Sequence, residues 1–128
     1  MTPEAIRAVI DRKREQHPEL GAPLRWDGLR RILAREDVGL LTAQLPRGAN
    51  AQLVQFMGAW SIVLSADAPP RRHTYYAAHE LGHLWLHHDR TCDRGECVYK
   101  MDDAWVDDPQ EDDAEVFAAC LLGGPRWF

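Results

Sequence analysis

The run His79-Glu80-Leu81-Gly82-His83 constrains this chain more than any other five residues. On a helix, positions i and i+4 lie on one face about one turn apart, so the two imidazoles point the same way with the Glu80 carboxylate beside them. The flanking residues predict that helix. Ser65 or Asp67 can cap it, and Pro69 or Pro70 falls in its first turn, where a missing amide donor costs nothing. It then runs from about residue 71 to 87 or 88. Gly82 in its middle costs about 1 kcal/mol against alanine, which predicts that another backbone packs closely at that point.

The other elements follow from hydrophobic spacing. Residues 4–16 carry Ala5, Ile6, Val9 and Ile10 among charges, a helical pattern that stops before His17-Pro18. Asp27 can cap a second helix through Leu29, Ile32 and Leu33, and residues 38–41 read as a short strand. Residues 52–56 and 60–64 are strand-like runs around Gly58, the pattern of a hairpin. After a polar stretch containing Gly95, Pro109 opens a last helix through Ala114, Phe117, Ala118, Leu121 and Leu122 to Gly123-Gly124. With no internal repeat and no low-complexity linker, this order predicts a single α+β domain over residues 1–128, with a small antiparallel sheet.

Charge and cysteines narrow the function classes. Residues 91–128 hold ten acidic groups against three basic ones, a local charge of −7 within a total of −5. Such a balance gives no support to nucleic-acid binding, which needs a basic face, and the acidic run reads as a solvated loop before it reads as a docking surface. No apolar run approaches the roughly 20 residues of a membrane span, and the start of the chain lacks a secretory pattern, so a soluble cytoplasmic protein is expected. Cys92, Cys97 and Cys120 are an odd number without a secretion signal, which predicts reduced thiols. The first two are spaced C-x4-C with no second pair to complete a zinc site.

A helix that offers His79 and His83 to one metal ion and sets Glu80 beside it has the parts for hydrolysis. Zinc on three protein ligands keeps a fourth position for water and lowers that water's pKa to about 7, and a neighbouring carboxylate can take the proton as the water attacks a peptide carbonyl. His87 continues the same face at i+8, but eight residues of helix rise about 12 Å while zinc ligands lie about 2 Å from the ion, so His87 is expected to pack near the helix end. The third ligand is expected from the last helix, which offers Glu111, Asp112, Asp113 and Glu115. Asp113 shares a stripe with Val116, Phe117 and Cys120 and is therefore the expected ligand. Tyr75, one turn before His79, could steady an oxyanion or could simply belong to the core.

These residues resemble the ImmA/IrrE-type metallopeptidases. Residues 58–64, Arg71-Arg72 and the run from His79 to His87 are similar to that family's strand, basic pair and H-E-L-G-H-x-x-L-H helix, and residues 113–122 are similar to its E-A-N-x-F-A-x-x-L-L motif. The resemblance spans about residues 58–125. It implies a small zincin-like domain with zinc as cofactor, His79 and His83 as ligands, Glu80 as general base and Asp113 at the third-ligand position. The family has glutamate where this chain has Asp113, so either the helix approaches closer or Glu111 substitutes. The ending Leu121-Leu122-Gly123-Gly124-Pro125 is also one residue longer than the family's. The substrate implied is a partner protein such as a helix-turn-helix transcriptional repressor of a stress-response or mobile-element circuit. Two rivals remain on the residues themselves: a non-catalytic binding module stapled by zinc, and a hydrolase of small amides.

Overall fold

The computed structural model describes residues 1–87, 96–102 and 109–123. Cys92, Gly95, the expected end of the active helix at His88, and the Gly124-Pro125 ending lie outside these residues, as do the side chains of His87 and Cys97.

Helix α1 (Pro3–Lys13) begins where Thr2 accepts the amide of Ala5 at 3.1 Å, and it buries Ile6 and Ile10. Helix α2 (Trp26–Arg35) buries Leu29, Ile32 and Leu33. Its N-cap position falls on Arg25, which makes no capping bond. Asp27, expected as the cap, lies inside the first turn, where its charge favours the helix dipole.

Strand β1 (Gly39–Ala43) follows, then the hairpin of β2 (Ala49–Phe56) and β3 (Ala59–Ser65). Met57 and Gly58 make the hairpin turn with φ of 50° and 84°. Left-handed conformations at both central residues match the twist of the flanking strands, which fixes Phe56 opposite Ala59. The sheet order is β1-β3-β2-β4, with β4 spanning Glu96–Asp102. Strand β2 runs antiparallel to both of its neighbours, β3 and β4, but β1 runs parallel to β3. The sheet is therefore mixed rather than purely antiparallel. The returning strand of the hairpin slots between β1 and β2 and so runs in the direction of β1.

Alternation along the hairpin puts Ala51, Leu53, Ile62 and Leu64 on one face, where Ala51 pairs with Leu64 and Leu53 with Ile62. Helix α3 (His73–His87) packs on that hairpin, and α4 (Pro109–Leu122) packs on α3. Squeezed between layers, α3 is buried without a break from Tyr76 to Trp85, so polar residues in that span are buried with it. Gly123, at φ 103°, closes α4 and donates its amide to Ala119 O at 3.1 Å. Leu24 N–H reaches Leu121 O at 2.8 Å and ties the entry of α2 to this end. Among the described residues no helix is long and apolar enough to cross a membrane.

One buried polar group was not expected from the sequence. His17 is 1% exposed, stacks on Trp85 with centroids 5.8 Å apart and lies 2.6 Å through Nδ1 from Arg35 Nη1. Trp85 in turn donates its indole N–H to Glu36 at 2.9 Å, and Lys13 reaches the same oxygen at 3.2 Å.

Candidate metal centre

His79 and His83 leave α3 one turn apart, each 1% exposed, with ring centroids 5.1 Å apart. Their positions in the central helix place both imidazoles toward the start of α4. Pro109 opens α4 without needing an amide partner, and Glu111 falls in its first turn. Glu111 Oε2 lies 2.8 Å from His79 Nε2, and its Oε1 lies 3.0 Å from His83 Nε2. One carboxylate thus spans both rings. Burial works against its charge, but hydrogen bonds to His79 and His83 outweigh that cost and hold its carboxyl at about 2.

Among the described residues it is Glu111, the alternative to the expected Asp113, that groups with the two histidines. Asp113 accepts from the amino group of Met1 at 3.1 Å. The reason lies in which stripe of α4 faces α3. Ala114, Phe117, Ala118, Leu121 and Leu122 are buried, whereas Val116 and Cys120, two of the three residues that suggested Asp113, are only partly so. Ala114 and Ala118 stand at i+3 and i+7 from Glu111, which so heads the buried stripe. Alanines carry little hydrophobic weight in a sequence, yet their small size is what lets the helices approach. Asp112 and Glu115 are exposed.

Glu80 follows His79 directly on α3. It is fully buried, and neither of its oxygens has a hydrogen-bond partner among the described residues. Burial, with the nearby charge of Glu111, pushes its carboxyl well above the ordinary carboxylate range. Buried polar groups are almost always paired, and an unpaired one costs about 1–3 kcal/mol, so this side chain has the character of a group kept for chemistry.

Tyr75 sits one turn before His79, half-buried, with ring centroids 6.2 Å apart. Burial and then Glu115 push its phenol up to about 12, so it remains a proton donor across the neutral range. His87 ends α3, two turns beyond His79, at the distance that the helical rise requires.

His79, His83 and Glu111 each offer one donor atom, and the three atoms lie within 4.8 Å of one another. Two imidazole nitrogens and a carboxylate oxygen suit a divalent transition ion, and small side-chain rotations would bring each within about 2 Å of one. The unpartnered Glu80 beside them fits the same reading, because a water held at the ion would give its carboxylate a partner.

Residues 35–122 match the peptidase M78 family model, described as the IrrE N-terminal-like domain. That stretch contains every member of the cluster and runs from the end of α2 to the end of α4. No curated protein matches the chain significantly.

Proposed function

Because the chain belongs to the ImmA/IrrE family of metallopeptidase-type domains, we propose that it is a zinc-dependent endopeptidase in which His79, His83 and Glu111 hold the ion and Glu80 is the general base. The observation that carries the catalytic part is the Glu80 carboxylate, buried, unpartnered and adjacent in sequence to His79. A zinc site that only stapled the fold would have no need of it.

Zinc bound there would polarise a substrate carbonyl and acidify a water to a pKa of about 7. The remaining work falls to the chain itself. Glu111 and the two imidazoles would hold the ion from two helices. Glu80 takes a proton at one carboxylate oxygen as the water attacks, and returns it to the leaving amine. Burial of α3 keeps other water away from this exchange.

The substrate we propose is a protein, a helix-turn-helix transcriptional repressor of a stress-response or mobile-element circuit, and the setting is the cytoplasm where such a repressor works. The support is the resemblance of the His79–His87 and 113–122 segments to the ImmA/IrrE motifs. The test compares wild type with Glu80→Gln, which keeps the size of the side chain but cannot accept the proton. Both proteins are loaded with zinc, incubated with candidate helix-turn-helix repressors, and followed by mass spectrometry of fragments. The variant should retain zinc and lose cleavage by about 10²–10⁴-fold. Equal cleavage by the two proteins removes Glu80 from the mechanism, and no cleavage by zinc-loaded wild type favours the non-catalytic binding module.

A further inference from the structure

The backbones of α3 and α4 meet closely at Gly82. A Cβ placed there would lie 2.9 Å from Cδ1 and 3.2 Å from Cγ of Phe117, and 3.3 Å from Cα of Ala114. Neither neighbour can give way easily. The Phe117 ring is fully buried and stands edge-on to Trp85 with centroids 5.7 Å apart, and the Ala114 atom is backbone. Gly82 lies three residues after His79 and one before His83, while Ala114 lies one turn after Glu111. The crossing is therefore within about a turn of all three donor residues.

We infer that Gly82 is a positioning residue for the metal centre: by admitting Phe117 and Ala114, it sets the α3–α4 separation at which Glu111 reaches both His79 and His83. The inference rests on the proposal that Glu111 is the third ligand. Magnitude makes the case. Restoring an ordinary contact of 3.4 Å from 2.9 Å requires a shift of about 0.5 Å between the helices. Metal–ligand distances hold to about ±0.2 Å, so a displacement of that size at the crossing pulls the carboxylate out of range even if the fold survives.

The experiment measures zinc affinity by chelator competition and, separately, the urea stability of the metal-free protein. Gly82→Ala should weaken zinc binding by at least about tenfold, the scale of losses from disturbed ligand support. Phe117→Ala removes the ring that the new methyl would meet, so the double variant Gly82→Ala/Phe117→Ala should bind zinc more tightly than Gly82→Ala alone. Leu29→Ala, a buried residue of α2 that is not among the atoms a methyl at Gly82 would meet, controls for loss of stability and should leave zinc affinity near that of wild type. If Gly82→Ala does not fold, Ala114→Ser crowds the same crossing and takes its place. Wild-type affinity in the wedge variant, no recovery in the double variant, or an equal loss in the Leu29→Ala control would overturn the inference. Glu111→Gln separates the two ideas: if it binds zinc like wild type, the ligand assignment is what fails.

Discussion

Glu111 and His79, 32 residues apart in the chain, meet at 2.8 Å because an all-buried α3 and an alanine-lined α4 bring the first turn of one against the middle of the other. The relationship predicts an order of metal affinities. Glu111→Gln, His79→Ala and His83→Ala should each lose zinc by more than the roughly 10–100-fold that supporting residues cost. Asp113→Asn should stay close to wild type, since it weakens an ion pair to the Met1 amino group of a kind worth about 0–1 kcal/mol. A chelator titration in which Asp113→Asn is weaker than Glu111→Gln would overturn the assignment.

Much of this site is legible in the sequence, and what is not has identifiable causes. His79, Glu80 and His83 follow from helical spacing alone, and Gly82 follows from its cost within a helix. The acid on α4 does not, because Val116 and Cys120 point the apolar stripe toward Asp113, whereas the buried stripe runs through Ala114, Phe117 and Ala118. The hairpin turn was marked by Gly58, but β4 lies in a stretch whose charges hide any alternation. The parallel pairing of β1 with β3 is a non-local choice that no local pattern encodes. In the sequence His17 marks only the stop of α1, since its partners Trp85 and Arg35 come from α3 and α2.

His17 gives a pH prediction. Arg35 can only donate, so Nδ1 of His17 accepts and the ring is neutral, with Nε2 buried 3.7 Å from Glu36 Oε1. Burial lowers its pKa below the usual 6.5; Glu36 opposes this, Arg35 and Lys13 add to it, and Glu19 opposes it weakly. Below pH 6.5 the unfolded chain therefore binds more protons at this residue than the folded one, and stability falls as pH drops through that window. The urea midpoint of wild type should decrease from pH 7.5 to 5.5 more steeply than that of His17→Gln, whatever the absolute stability of the variant. Parallel slopes would remove His17 from the acid response. A separate loss should appear between pH 4.5 and about 2, where the hydrogen bond from Arg35 holds Glu19 ionised in the folded state.

Glu80 predicts a conflict between stability and activity. A carboxyl group that is fully buried with both oxygens unpartnered opposes folding of the metal-free chain, because its solvation is lost and nothing replaces it. Methionine has similar length, fills irregular space readily and brings no charge. Glu80→Met should therefore raise the stability of the metal-free protein, by about 1–3 kcal/mol, the cost of an unsatisfied buried polar group. The same substitution should leave the three metal donors in place and abolish peptide cleavage. Urea unfolding without metal, zinc titration and a cleavage assay on one preparation test the three parts together. A metal-free Glu80→Met protein less stable than wild type would mean that the carboxylate contributes to the fold, and the reading of Glu80 as a group retained for catalysis at the expense of stability would fall.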